Sequence, residues 1–460
     1  MNEYQKTIRK YIRSHKDEIV RDLTELIKIP SVSSDRVACR QALEKTRELY
    51  EKNGFSSELF ENGEYLLSCF GEGKRSLGLF AHADVVSAGE GWTLTEAFVP
   101  LLKNDAIVGR GTLDDKAGII ISLYVMKMIK ELQIPFNSRI VAFTGSNEED
   151  GMDDVQAYAS AHTPPDFSLI IDSDFPLYHG NKGIVWLYAR AREQFEDVID
   201  FCGGKSVNIT LGKASARVAY SDELMSELLL CDEITVQRQG KEIMLEANGI
   251  STHGALPEGS KNAGLILASA LASCPSLSKK DRRQLLFVKR LLSDYYGRGI
   301  GIEHTDKDFG ALTFTNGIAR VENGRLLLSF DTRFGKELSS CELTKKIERA
   351  LNENGMELEL IRSEEPHITD KSNPFLQKCL GVYRELTGDR ESKPLLNAGG
   401  TYARYVKGSI EIGTSYGGKR AFNLRAGNGG LHQPDEYISV EGLLNALEIT
   451  ANMMLECDND

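Results

Sequence analysis

Five short segments gather residue types that bind metals or move protons. They are Ala81-His-Ala-Asp-Val-Val86, Gly109-Arg-Gly-Thr-Leu-Asp-Asp-Lys116, Gly145-Ser-Asn-Glu-Glu-Asp150, Ile170-Ile-Asp-Ser-Asp-Phe-Pro176 and Leu431-His-Gln-Pro-Asp-Glu436. Each alone has a plain structural reading: a polar residue after a strand, a helix start favoured by carboxylates, or an N-cap. Together, two histidines and three carboxylates would give two metal ions two terminal ligands each and one shared bridge. Imidazole and carboxylate without thiolate suit Zn²⁺, and also Mn²⁺ or Co²⁺. Asp84, two residues past His82, is placed to hold the far nitrogen of that imidazole.

The elements around these segments have a readable period. Leu77–Phe80, Arg139–Thr144 and Ser168–Ile171 are short apolar runs that predict buried strands. Lys16–Ile29 and Lys116–Leu132 carry apolar residues at helical spacing, the first closed by Pro30. The alternation predicts an α/β fold, a mixed, mostly parallel sheet flanked by helices. The polar clusters follow the strand runs directly, where open α/β sheets place their sites. From about 183 to 365 the texture changes to alternating apolar and charged residues, as in Arg325-Leu-Leu-Leu-Ser-Phe-Asp-Thr-Arg333. That pattern predicts antiparallel strands with helices on one face, hence an inserted α+β lid domain over 183–365. Residues 1–182 and 366–460 then form the catalytic metal-binding domain, ending in the helix Val440–Leu455.

With these segments in view, the chain resembles the co-catalytic zinc metallopeptidases that include peptidase V, carnosinase, aminoacylase, carboxypeptidase G and succinyl-diaminopimelate desuccinylase. The similarity runs from Leu26-Ile-Lys-Ile-Pro-Ser-Val32 to His432, and Ala398-Gly-Gly-Thr-Tyr-Ala-Arg404 resembles the peptidase V dipeptidase branch. The resemblance implies a zinc-exopeptidase-like fold and two divalent ions. It makes His82 and Asp172 ligands of one ion, Glu149 and His432 ligands of the other, and Asp114 the bridge, across a cis peptide to Asp115. It implies Glu148 as general base, with Asp84 supporting the catalytic site. In the lid it implies that His253 and Asn208 meet the substrate, His253 taking part in catalysis, and that Arg333 binds the substrate's carboxylate. Asn208-Ile-Thr-Leu211 departs from the family's frequent Asn-Met-Val-Pro, and Asn181 stands where an acidic residue is common.

The function expected is therefore cleavage of a dipeptide's amide bond by metal-activated water. N-acyl-amino acid deacylation and carboxypeptidase action are the alternatives on the same fold, and a binding protein that lost its chemistry is a remote one. Gly413-Thr-Ser-Tyr-Gly417 fits a serine-nucleophile pentapeptide, but Gly418-Lys-Arg420 follows where an apolar helix is needed. The substrate expected is a small peptide with a free carboxylate.

Composition agrees with a globular enzyme: 460 residues, 41% hydrophobic, 27% charged, formal net charge −12. No basic stripe is present to meet a nucleic-acid backbone. Eight cysteines stand singly without a C-x-x-C pair, as in a reduced protein. The first twenty residues lack the apolar core of a signal peptide, and the longest apolar stretch is too short to span a bilayer. A cytoplasmic protein without membrane partners is expected. The resemblance implies that a lid of this length, about 183 to 365, holds two subdomains as in peptidase V, one of which could fill the space that a partner takes in short-lid relatives; a monomer is expected, with a homodimer as the alternative.

Overall fold

The computed structural model describes residues 3–60 and 64–459. These divide into two compact units: residues 1–180, 368–397 and 401–460, and residues 181–367 with 398–400.

The first unit is built on a mixed sheet. Its centre is parallel: Arg139–Gly145 and Phe167–Ser173 flank Ser76–His82, and Ser409–Gly413 lies beyond Phe167–Ser173. Antiparallel strands Tyr65–Phe70 and Ser56–Phe60 extend one side. The apolar runs do not alternate with polar residues because both faces are covered. Leu77, Leu79 and Ala81 face a core shared with the helices Lys16–Ile27, Lys116–Glu131 and Val440–Asp458. Phe80, Phe143 and Ile170 face the opposite side, where Tyr158, Tyr65 and Tyr402 pack. A period-2 strand buried on both faces is what a run such as Ser-Leu-Gly-Leu-Phe-Ala-His encodes.

A three-stranded sheet sits beside this framework. The hairpin Leu101–Lys103/Ala106–Val108 turns at Asn104 and Asp105, both at positive φ (54° and 56°), as a type I′ turn requires. Its second strand pairs with Tyr437–Ser439, Tyr437 opposite Val108. The pairing brings the segment after residue 108 alongside the segment before residue 437.

The second unit is an eight-stranded sheet in the order Ile234–Gln239, Glu242–Asn248, Lys213–Ala219, Val198–Gly203, Thr313–Glu322, Arg325–Phe334, Gly183–Ala191, Met356–Glu364. Its neighbours pair antiparallel. Alternate residues are buried against the helices Ala263–Ala272, Lys279–Leu291 and Ser340–Asn352. One hydrophobic core lies between this sheet and its helices, and a separate two-stranded pair, Thr305–Asp306 with Gly310–Ala311, stands beside it. No helix among the described residues is long and apolar enough to cross a membrane.

Candidate metal centre

The parallel strands deliver the candidate ligands. His82 ends its strand, opposite Gly145, which ends the next; Asp172 lies one residue from the end of Phe167–Ser173. Glu148 and Glu149 follow Gly145 in the loop leaving that strand. Asp114 precedes the helix Lys116–Glu131, joined to Asp115 by a cis peptide. His432 lies before Tyr437–Ser439, with φ of 59°.

Two triads result. His82, Asp114 and Asp172 offer ligand atoms within 4.8 Å of one another, as do Asp114, Glu149 and His432. Asp114 belongs to both, one oxygen to each imidazole. Its Oδ1 is 3.0 Å from His82 Nε2 and its Oδ2 is 2.9 Å from His432 Nε2. His82 Nε2 is 3.8 Å from Asp172 Oδ1, and His432 Nε2 is 3.1 Å from Glu149 Oε1. His82 is wholly buried, whereas the side chain of His432 is 53% exposed, so the pair opens to solvent on one side.

Asp115 does different work from Asp114. Its carboxylate caps the helix through Gly118 N (3.2 Å) and accepts the His82 N–H (3.1 Å). This fixes the strand end at His82 to the helix start and leaves Asp114 to face the imidazoles.

The electrostatics suit a cation. Burial by itself disfavours a charged His82, yet hydrogen bonds to Asp114, Asp172 and Asp84 outweigh it and hold the imidazole well above its ordinary range. Burial acts the same way on His432, where Asp114 and Glu149 prevail and lift it to about 11. For Asp114 burial opposes ionisation, and the two histidines win, holding it below the usual carboxylate range. Burial raises Glu149 to about 7, with repulsion from Asp114, and raises Asp172 to about 6. Glu148 lies well above its usual range, through burial first and then Asp172. Carboxylates crowd this cluster, and His82 and His432 are the positive partners that offset them. Nitrogen and oxygen donors without sulfur, in two sets sharing a carboxylate, fit a pair of divalent cations of the zinc, manganese or cobalt kind. Glu148 Oε1 is buried and has no hydrogen-bond partner, as a group kept for a reacting molecule would be.

His82 Nδ1 contacts the main-chain carbonyl of Asp84 at 2.9 Å, closer than the Asp84 carboxylate at 3.4 Å. The backbone oxygen therefore sets the tautomer that leaves Nε2 for ligation. The Asp84 carboxylate takes Glu148 N–H (3.1 Å), Glu149 N–H (3.2 Å) and the Ser33 hydroxyl (2.7 Å). A second buried carboxylate, Asp154, holds the start of the same loop through Ser146 N (2.7 Å) and Asn147 N (2.8 Å), and Tyr402 Oη donates to it at 2.5 Å. The role of Asp154 is not legible from its place in a helix start, although Tyr402 lies inside a segment that carries the family likeness.

Asn208, His253 and Arg333 lie in the second unit, close together. Ile209 and His253 form a β-bridge, and Gly254 N donates to the Asn208 carbonyl at 2.7 Å. Ala255 N donates to His253 Nδ1 at 3.2 Å, which puts the hydrogen of the neutral ring on Nε2. A Cβ on Gly254 would lie 2.9 Å from Asp331 Oδ2, and that carboxylate grips Arg333 through Nε (2.7 Å) and Nη2 (3.0 Å). Arg333 Nη1 donates to the Ala398 carbonyl at 3.1 Å.

Residues 78–456 match the family model described as peptidase family M20/M25/M40. A provisionally named dipeptidase of Staphylococcus haemolyticus is 29% identical over 95% of this chain and 96% of its own length; another from Staphylococcus aureus is similar to the same degree over the same shares. Human carnosine dipeptidase 1 has a similar fold, with a TM-score of 0.63 at 14% identity over the whole of both chains. The dipeptidase Dug1p of Saccharomyces cerevisiae gives 0.62 at 15%, again over both whole chains. The extent of the family match and the two-triad cluster agree: the chain belongs to peptidase family M20/M25/M40 and is a metal-dependent peptidase acting on peptide bonds.

Proposed function

We propose that the protein is a dipeptidase working with two divalent ions, zinc in the first instance. The observation that carries this reading is Asp114, whose two oxygens each face one histidine, 3.0 and 2.9 Å away. His82 and Asp172 would hold one ion, Glu149 and His432 the other, with Asp114 shared. Bound there, the ions supply Lewis acidity and lower the pKa of water from 15.7 to roughly 7.

The chain's own groups do the rest. Glu148 is buried, and burial with the neighbouring Asp172 raises its proton affinity above that of an ordinary carboxylate, which suits a general base: it would take a proton from the attacking water and give it to the leaving amine. His253, with its hydrogen on Nε2, is suited to donate to the carbonyl oxygen as negative charge develops. Arg333 is assigned the substrate's carboxylate and Asn208 a further polar contact. Arg333 keeps an N–H on each terminal nitrogen beyond those given to Asp331 and Ala398. The dipeptidase names carried by relatives of nearly the same length support a small peptide substrate.

The test is a hydrolysis screen of dipeptides, β-alanyl dipeptides and N-acetyl amino acids with zinc-, manganese- and cobalt-loaded protein. Dipeptides should be cleaved fastest, and preferential release of acetate from N-acetyl amino acids would reassign the enzyme as a deacylase. We also propose a cytoplasmic monomer. Mixing inactive His253→Ala with inactive Glu148→Ala protein should restore nothing, since each chain would use its own His253.

A further inference from the structure

Three loops that bear candidate ligands meet at one buried ion pair. Arg110 and Glu436 are 1% and 0% exposed. Arg110 Nη1 donates to Glu436 Oε2 at 2.6 Å and to the Gln433 carbonyl at 3.3 Å, while Nη2 donates to the carbonyls of Ser87 and Ala88, both at 3.3 Å. Glu436 Oε1 accepts backbone N–H groups from Leu113 (2.8 Å), Gly111 (3.1 Å) and Asp114 (3.3 Å). One pair thus binds the loop after His82, the loop ending in Asp114 and the loop beginning at His432.

A buried ion pair is poorly explained by stability alone, because desolvation cancels most of the attraction and apolar residues of like volume often do as well. No apolar pair could accept three N–H groups from one loop while donating to carbonyls of two others. His432 and Asp435, on either side of Gln433 and Pro434, have φ of 59° and 55°, a left-handed conformation that side chains adopt only under constraint. Asp435 supplies part of that constraint through Thr93 N (2.7 Å) and Leu94 N (2.9 Å), and Arg110 and Glu436 supply the part directed at Asp114.

We infer that Arg110 and Glu436 are positioning residues of the metal centre. They act through Asp114 and His432 to fix the separation of the two ligand sets. The inference rests on the two-ion reading above. Partners of this kind, one step removed from the metal, typically change affinity by roughly 10–100-fold when altered.

The experiment loads the full-length protein with cobalt(II) and reads the visible ligand-field spectrum, the cobalt bound per chain and the melting temperature. Glu436→Gln keeps one acceptor for the Asp114 loop but loses the charge facing Arg110; Glu436→Ala loses both. Cobalt affinity should fall at least tenfold in Glu436→Gln and further in Glu436→Ala, each with a changed spectrum. Arg110→Lys keeps the charge but not the fork, and should shift the spectrum in the same sense by less; it carries the test if the Glu436 variants do not fold. Asp281→Asn is the control. Asp281 is a buried carboxylate clamping Glu196, Asp197 and Val198 N–H groups in the second unit, which carries none of the candidate metal ligands. It should lower the melting temperature and leave the spectrum unchanged. A wild-type spectrum and affinity in Glu436→Gln, or a loss that merely follows the unfolded fraction, overturns the inference and leaves the two-ion reading intact. Wild-type protein that binds no cobalt overturns the two-ion reading and the inference with it.

Discussion

The Asp84 carboxylate accepts the backbone N–H of Glu148 at 3.1 Å and of its neighbour Glu149 at 3.2 Å. Asp84 also anchors His82 through its main-chain oxygen. It therefore sets the candidate base relative to ligands from two strands. In Asp84→Asn one oxygen becomes an NH₂ that repels one of those N–H groups. The expected result is a metal affinity lower by roughly 10–100-fold and a fall in kcat, read by elemental analysis and initial rates. Full metal content with an unchanged kcat would show that the loop is held without this carboxylate.

Glu148 and Glu149 are adjacent in sequence and opposite in expected role. Glu148→Gln cannot accept a proton, so kcat should fall by about 10²–10⁴ while metal content stays at the wild-type level. Glu149→Gln removes a ligand beside His432 and should lose metal. Elemental analysis of the two variants separates the roles; the reverse pattern would exchange them.

Much of this centre is written in short segments of the chain. His82, Glu148, Glu149 and Asp172 follow apolar runs whose lengths mark strands, and parallel strands converge their following loops. The choice between Asp114 and Asp115 is different in kind. Both are carboxylates before the same helix, and only the cap to Gly118 and the bond to His82 N–H show why Asp115 turns away. The clustering of Asn208, His253 and Arg333 depends on strand pairing across more than a hundred residues, which no local period encodes. Likewise the sequence places Asp84 beside the His82 ring, while the ring's shortest contact is to a backbone oxygen, which side-chain type cannot reveal.

Metal uptake should release protons. The protein holds His82 and His432 above their ordinary range and Glu149 and Asp172 at about 7 and 6, so near neutrality the two histidines and part of Glu149 carry protons that a cation must displace, and Asp172 joins them toward pH 6. All four shifts have the same sign, so affinity should rise with pH, by about tenfold per unit for each proton released. Calorimetric metal titrations in buffers of different ionisation enthalpy count those protons. An affinity constant between about pH 6 and pH 8 would contradict the assignment.

Gly145 sits where the strand gives way to the Glu148 loop. A Cβ there would lie 1.9 Å from Tyr402 Oη and 2.2 Å from Asp154 Oδ2, both held in a short hydrogen bond. Gly145→Ala should therefore destabilise the protein by about 1–3 kcal/mol and, by displacing Asp154 from Ser146 and Asn147, lower kcat as well. Tyr402→Phe, which removes only the hydroxyl, should have a smaller effect on both. Melting curves and rates on the two variants test the order.

Arg333 is buried, with Nε and Nη2 given to Asp331 and Nη1 reaching Ala398. Asp331 is itself fixed by Trp186 Nε1 at 2.9 Å, so the guanidinium plane is set before any substrate arrives. A group held in this way binds a carboxylate without first losing its own rotamer freedom. Lysine offers a point charge and no fork, so Arg333→Lys should raise KM for dipeptides at least about tenfold with a smaller change in kcat, as a lost bidentate contact does. Dipeptide amides, which lack the carboxylate, provide the control. Wild-type enzyme should favour the free acid strongly, and Arg333→Lys should narrow that preference by slowing the acid more than the amide. Equal losses on both substrates would mean that Arg333 supports the fold of its strand and does not read the substrate's terminus.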